Sequence, residues 1–99
     1  MKIRLLKPAQ FELEDAVAWY DSHSPGLGTQ FLDDLDRTVR RIITYPFSSP
    51  EIEPSLRRCL LSRFPYGIIY GIDVDIIVIV AIAHLHREPR YWADRLLDR

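Results

Sequence analysis

Residues 57–84 read RRCLLSRFPYGIIYGIDVDIIVIVAIAH, and this stretch decides the fold. Its pattern predicts three strands separated by tight turns, with the strands at 57–64, 68–72 and 76–84 and the turns at 65–67 and 73–75. Strands joined by two or three turn residues pair antiparallel. Because residues 76–83 are apolar throughout, we expect the last strand to lie inside the sheet, covered on both faces.

Upstream of these strands, the sequence predicts a short strand and a first helix. Residues 2–7 carry apolar side chains at Ile3, Leu5 and Leu6, which indicates a short strand. Pro8 ends this strand. One face of a helix follows, marked by apolar side chains at Ala9, Leu13, Ala16, Val17 and Tyr20. The sequence SHSPG at residues 22–26 interrupts this helix.

A second helix is predicted from an apolar stripe over residues 27–43. Within the stripe we expect Leu35, Val39 and Ile42 to be buried against the sheet. We expect Ser24 to cap this helix, with Pro25 at its first position. The helix should end at Tyr45, because the proline that follows disfavours helical geometry in the residue before it.

The order of elements defines the expected fold class, which is α+β with the order β-α-α-β-β-β. Residues 46–54 hold three prolines and are predicted to form a loop. Two consecutive helices with a short linkage should form a hairpin that covers one face of the sheet. A chain of 99 residues, 47% of them hydrophobic, supports one compact domain over residues 1–99 and not two.

Composition excludes several classes of protein. The 13 basic residues nearly cancel the 14 acidic ones, whereas a protein that binds phosphates alone is usually clearly basic. Cys59 is the single cysteine, so no intrachain disulfide is expected and its thiol should be buried. No leader is visible, and the longest apolar run is far shorter than the roughly 20 residues of a membrane helix. We therefore expect a cytoplasmic protein without a membrane association.

The sequence after the last strand concentrates ionisable and aromatic residues. Residues 84–95 read HLHREPRYWADR, so the apolar strand runs directly into two histidines and an arginine. We expect the polar ends of the side chains of His84, His86, Arg87 and Arg90 to reach solvent at the rim of the sheet. The side chain of Leu85 should turn inward. A short helix or turn is expected over residues 89–97, anchored by Tyr91 and Trp92. His84 and His86 have no third ligand nearby in sequence, so neither a metal site nor a cofactor is predicted.

An ordered set of short motifs resembles the RelE/ParE superfamily, the toxins of type II toxin–antitoxin pairs. These motifs are WY at 19–20, PGLG at 25–28, FL at 31–32, RR at 57–58, RFPY at 63–66, IY at 69–70, VA at 80–81, AH at 83–84, Arg87, Pro89 and YW at 91–92. The resemblance implies a curved, mainly antiparallel sheet with two helices on one face. It also implies a cognate antitoxin that binds the toxin in a hetero-oligomer and neutralises it.

The superfamily has two functional branches, and one of them is enzymatic. RelE-like members cut mRNA on the ribosome. Cleavage through the 2′-hydroxyl needs a base, an acid and a positive group on the phosphate. If this chain is such an endoribonuclease, the candidate residues are Arg57, Arg63, His84, Arg87 and Tyr91.

The other branch is ParE-like, and its members poison DNA gyrase without being enzymes. This chain has no lysine after Lys7, and its middle strand carries no charge, which departs from the nuclease pattern. We therefore favour a ParE-like toxin of a plasmid stabilisation system that inhibits DNA gyrase. The binding residues expected for it are Arg58, His86, Arg87, Arg90 and Trp92. A third reading is a non-toxic member of the fold that only binds its antitoxin.

Overall fold

The computed structural model of the chain describes residues 1–98, with side chains through residue 95. The elements follow in the order β1 (Lys2–Leu5), α1 (Lys7–His23), α2 (Leu27–Thr44), β2 (Glu51–Glu53), β3 (Leu56–Leu60), β4 (Tyr66–Asp73), β5 (Ile76–His84) and a 3₁₀ helix (Ala93–Asp98). The predicted α+β class and its order of elements are confirmed, with β2 as one additional short strand.

The sheet has five strands in the spatial order β1-β5-β4-β3-β2. β1 runs parallel to β5, and the other neighbours pair antiparallel. The apolar strand β5 lies between β1 and β4, as its unbroken hydrophobic run predicted. The pairing of β4 with β5 shifts register between Ile69 and Tyr70, which leaves Val80 as an extra residue on β5.

The core occupies both faces of the sheet. On one face, α1 and α2 pack onto β3, β4 and β5, and this larger cluster includes Phe31, Ile42, Ile68, Tyr70 and Ile77. On the other face, the C-terminal segment packs onto the sheet through a smaller cluster that includes Leu56, Ile69, Val80, Ala83 and Trp92. Within the described residues, neither helix combines the length and apolar character needed to cross a membrane.

The second helix buries the predicted stripe but begins differently from the prediction. Leu35 is buried, as expected, and Val39 is half-buried. Ser24 does not cap α2; the N-cap is Gly26 with φ +88°, a left-handed conformation that glycine adopts without strain. The two helices also approach closely, because a Cβ on Gly28 would lie 2.7 Å from the carbonyl oxygen of Val17.

The predicted strand at 57–64 is too long, and the predicted turn at 65–67 is wrong. β3 ends at Leu60, and Tyr66 already begins β4. The cause is a buried carboxylate on α2. Asp34 accepts hydrogen bonds from the backbone N–H groups of Ser62, at 3.3 Å, and Arg63, at 2.8 Å. These bonds draw the chain out of the sheet before it returns as β4.

The segment predicted as a loop at 46–54 contains the short edge strand β2. Prolines are tolerated beside such an edge because one side of an edge strand makes no ladder hydrogen bonds. Arg57 fixes the segment by donating to the carbonyl oxygens of Phe47, at 3.0 Å, and Ser49, at 2.7 Å. The backbone groups that a loop would leave to water are thus held by an arginine on the neighbouring strand.

Removing the buried carboxylate should destabilise the connection between β3 and β4. We expect Asp34→Ala to lower the free energy of unfolding by about 2 kcal/mol, because two backbone donors lose their acceptor. The matched control is Asp33→Ala, at the exposed neighbouring position, which should change it by less than about 0.5 kcal/mol. Urea denaturation measures both, and equal effects of the two substitutions would contradict the assigned role of Asp34.

Candidate functional site

The candidate site lies where β5 extends beyond its parallel neighbour. β1 pairs with β5 only as far as Ile79, so the edge of β5 is open from Val80 onward. Two side chains take the place of the missing strand. Arg95 donates to the carbonyl oxygen of Val80 at 3.1 Å, and the N–H of Ile82 donates to Glu12 at 3.0 Å. Strand groups that would otherwise be unpaired are satisfied in this way.

Glu12 connects α1 to the C-terminal segment. Its two carboxylate oxygens accept from the guanidinium of Arg95, at 2.7 and 3.0 Å, and one of them also accepts from the hydroxyl of Tyr91. Such a bidentate, charge-assisted pair is among the stronger polar contacts in proteins. We call Glu12, Arg87, Tyr91 and Arg95 the Glu12 cluster.

Tyr91 is held in its neutral form within this cluster. Burial raises the pKa of the Tyr91 hydroxyl well above its usual value, and the hydrogen bond to Glu12 and the charge of that carboxylate raise it further. The hydroxyl therefore remains a hydrogen-bond donor throughout the physiological pH range. This fixed protonation makes Tyr91 a structural partner of Glu12 and does not suit it to proton transfer.

Arg87 occupies a different position from Arg95 in the Glu12 cluster. Its guanidinium carbon lies 3.9 Å from the centre of the Tyr91 ring, within the range of a cation–π contact. One of its nitrogens is 3.6 Å from Glu12. The side chain of Arg87 is 56% exposed, whereas those of Glu12 and Arg95 are 14% and 16% exposed. The guanidinium of Arg87 is thus exposed to solvent while its position is fixed by Tyr91 and Glu12.

Two cavities meet at the C-terminal rim, by which we mean residues 84–91. The first has a volume of about 360 Å³ and lies between α1 and the open edge of β5. Its lining residues are Glu12, Asp15, Ala16, Trp19, Tyr20, Tyr66, Ile82, His84, Arg87 and Tyr91. Trp19 is 55% exposed and stacks on His23, with the ring centres 3.8 Å apart. An exposed indole beside an apolar floor is typical of a binding surface.

The second cavity, of about 240 Å³, lies on the opposite face of the sheet beside the C-terminal segment. Arg58 is exposed there, and its aliphatic stem lies across Gly67, where a Cβ would be 3.1 Å from its Cγ. Arg90 pairs with Glu53 at 2.8 Å. His84 and Arg87 line both cavities, so the rim forms the border between them.

His84 is half-buried and has a defined hydrogen-bond role. Its Nδ1 accepts from the backbone N–H of His86 at 3.1 Å, so the neutral ring carries its proton on Nε2. The ring also lies edge-on against Tyr66, with centres 5.1 Å apart. His86 is exposed, as expected. The inward turn predicted for Leu85 is wrong, because its N–H donates to Pro65 and its side chain remains exposed.

The structure brings together some of the predicted site residues and not others. His84, Arg87 and Tyr91 share the first cavity. Arg57 and Arg63 line neither of the two cavities at the rim. Arg57 holds the 46–50 segment, and Arg63 donates to Gln30 at 3.2 Å. Trp92 is buried in the smaller core cluster, where it anchors the terminal segment.

Sequence reasoning missed two members of the Glu12 cluster. Neither Glu12 nor Arg95 is among the candidate site residues that the sequence indicates. The two residues are 83 positions apart in the chain, and no local pattern connects them. The unequal strand lengths are the one feature that indicates such a contact. β5 is nine residues long and β1 four, so part of β5 needs other hydrogen-bond partners for its backbone.

A helical hairpin on one face of a mainly antiparallel five-stranded sheet is the fold that the resemblance to RelE/ParE superfamily toxins implied. The family model described as the ParE toxin of the type II toxin–antitoxin system parDE matches residues 3–89, and the chain belongs to this family. A solved structure described as the chromosomal ParDE TA system from P. aeruginosa is similar in fold, with a TM-score of 0.76 at 18% identity. The match covers 87% of this chain and 97% of that one. A comparison with curated protein sequences found no match.

Loss of the Glu12 carboxylate should release the C-terminal segment. We expect Glu12→Ala to lower the free energy of unfolding by about 2 kcal/mol or more, because Arg95 and the N–H of Ile82 lose their shared acceptor. Glu14→Ala, at an exposed carboxylate that accepts from Gln10, is the matched control. Limited proteolysis after residue 84 should accelerate for the first variant alone. Equal cleavage rates in the two variants would contradict the role of Glu12 in holding the C-terminal segment.

Alkaline pH should destabilise the fold in part through Tyr91. The folded-state pKa of Tyr91 lies above the unfolded value of about 10. Its stabilisation is therefore fully present below about pH 10 and is lost as pH rises through the folded pKa. We expect Tyr91→Phe to flatten the decline of unfolding free energy above about pH 10, measured by urea denaturation at several pH values. Tyr45→Phe, at an exposed tyrosine, should leave the decline unchanged.

Proposed function

We propose that this chain is a toxin that inhibits DNA gyrase and is held inactive by a cognate antitoxin protein. The observation that carries the proposal is the match of the ParE toxin family over residues 3–89, which takes in both helices and, apart from Lys2, all five strands. The family is named for a type II toxin–antitoxin system, in which a toxin acts on a cellular target and an antitoxin neutralises it. DNA gyrase is the target that the ParE-like resemblance implies.

The placement of the arginines supports inhibition by binding over cleavage of RNA. A ribonuclease site needs a base, an acid and a phosphate-binding group at one place. Among the candidate nuclease residues, Arg57 donates its hydrogen bonds to backbone carbonyl oxygens outside the rim. The hydroxyl of Tyr91 donates to Glu12. His84 and Arg87 remain together at the border of the two cavities. This pair is a smaller set than the base, acid and phosphate-binding groups that cleavage needs.

In the proposed inhibitor, the C-terminal rim contacts the target. Arg58, His86 and Arg87 have exposed side chains on or beside the rim. Arg90 contributes by fixing the rim to Glu53, and Trp92 by anchoring the segment in the core. Arginine is enriched among the residues that contribute most of the binding free energy in protein interfaces.

The proposed antitoxin contact is on α1 and the first cavity. Phe11 and Trp19 lie on the outer side of α1 and are more than half exposed. Two large exposed apolar side chains on one helix favour a protein partner that covers them. An antitoxin segment bound there would make the pair a hetero-oligomer and would lie next to the rim.

Two assays on the purified chain test the proposed target. The first measures supercoiling by DNA gyrase and the accumulation of cleaved DNA as the chain is added. The second measures translation and mRNA integrity with ribosomes present. Inhibition in the first assay with intact mRNA in the second supports the proposal. Cut mRNA with unaffected gyrase would replace it by the RelE-like endoribonuclease, and no effect in either assay would favour a member that only binds an antitoxin.

Replacing the rim arginine should weaken inhibition without unfolding the protein. We expect Arg87→Ala to raise the concentration for half-maximal gyrase inhibition roughly thirtyfold, which corresponds to about 2 kcal/mol for an interface arginine. Arg40→Ala removes another exposed arginine, paired with Asp36 on α2, and is the matched control. Thermal unfolding of both variants should stay close to that of the parent. A loss of inhibition equal in the two variants would place the contact surface elsewhere.

A further inference from the structure

The Glu12 cluster carries more positive than negative charge. One carboxylate meets two guanidiniums, those of Arg87 and Arg95. Arg95 forms the bidentate pair with Glu12 and also donates to the carbonyl oxygen of Val80, so three of its five N–H donors are used within the fold. Arg87 makes the longer contact to Glu12 and is largely exposed. The excess charge of the cluster is therefore offered to solvent through Arg87.

The ring of Tyr91 is the surface on which Arg87 rests. The hydroxyl of Tyr91 donates to Glu12, which fixes the outer end of the ring, and Trp92, the next residue, is buried in the core. A guanidinium that stacks on a fixed ring keeps its planar fork of N–H donors in one orientation. A donor group oriented before binding loses less conformational freedom when its partner arrives.

We propose that Glu12 and Tyr91 are positioning residues that hold Arg87 as a preoriented binding site for a carboxylate group of the protein that this chain inhibits. The inference rests on the proposed function for the identity of that protein. It assigns the partner group by its chemistry, since a planar carboxylate accepts two parallel hydrogen bonds from a guanidinium fork.

The charges around Arg87 favour a single protein carboxylate over the phosphates of a nucleic acid. Glu12 and Asp15 line the first cavity, and Glu53 and Glu88 line the second. A phosphate backbone that crossed the rim would pass several of these carboxylates and be repelled by them. One carboxylate side chain, placed on the side of the Arg87 guanidinium away from Glu12, passes fewer of these carboxylates and is repelled less.

The test combines a structural readout with an inhibition readout. Four variants are compared with the parent: Tyr91→Leu, which removes the ring; Tyr91→Phe, which keeps the ring and removes the hydroxyl; Arg87→Ala; and the double variant Tyr91→Leu with Arg87→Ala. Arg40→Lys, at an arginine on α2 that lines neither cavity of the rim, is the control. The NMR signal of the Arg87 Nε–H, shifted by the nearby Tyr91 ring, reports the placement of Arg87 whether or not gyrase is the target.

We expect Tyr91→Leu to abolish the ring-induced shift and to weaken gyrase inhibition about tenfold, the size expected for loss of a cation–π contact and its preorganisation. Tyr91→Phe should keep the shift in part and weaken inhibition less. The double variant should be no weaker than Arg87→Ala, because Tyr91 acts through Arg87. If the double variant loses a further tenfold, Tyr91 contacts the target itself and the positioning role is overturned.

A titration with two probes separates the carboxylate site from the identity of the target. A tetraglutamate peptide should shift the Arg87 Nε–H signal at lower concentration than an oligothymidylate of the same charge, and Tyr91→Leu should remove this preference. That result supports the site even if the parent chain fails to inhibit gyrase, in which case the proposed target alone is wrong. A stronger effect of the oligothymidylate, or an unchanged preference in Tyr91→Leu, would overturn the inference.

Discussion

The unequal lengths of β1 and β5 impose the constraint on which the candidate site depends. β5 is a buried central strand, so its backbone groups need partners along its whole length. β1 supplies these partners for four residues. Beyond them, Arg95 binds the carbonyl oxygen of Val80, and Glu12 binds the N–H of Ile82. These contacts join the first helix, the central strand and the C-terminal segment at one place. The rim takes its shape from this junction.

The arginines of this chain divide between structural and exposed roles according to their surroundings. Arg57 and Arg95 are bound to backbone carbonyls and stabilise segments that lack regular pairing. Arg58 and Arg87 reach solvent on or beside the rim. The residue type is the same in each case, and the difference comes from the neighbouring backbone groups that each guanidinium can reach.

Much of the fold could be predicted because its signals are local. The bounds of β5 match the strand predicted at 76–84 from the apolar run at 76–83, and both helices follow their apolar faces. The end of β3 could not be predicted, because the cause is Asp34, which is buried on α2 and binds backbone 28 and 29 residues away. The candidate site could be predicted only in part, because some of its contacts join residues distant in sequence. His84 and Arg87 follow directly after a recognisable strand, whereas Glu12 and its partners meet only in the folded chain.

The distance in sequence between Glu12 and Arg95 also has a consequence for biosynthesis. A ribosome delivers the chain from its N-terminus, so α1 is available long before the residues that complete its contacts. The rim cannot assemble until position 95 has left the exit tunnel and the last segment has docked on β5. Until then, α1 carries Glu12 without the arginine that this carboxylate binds in the folded chain.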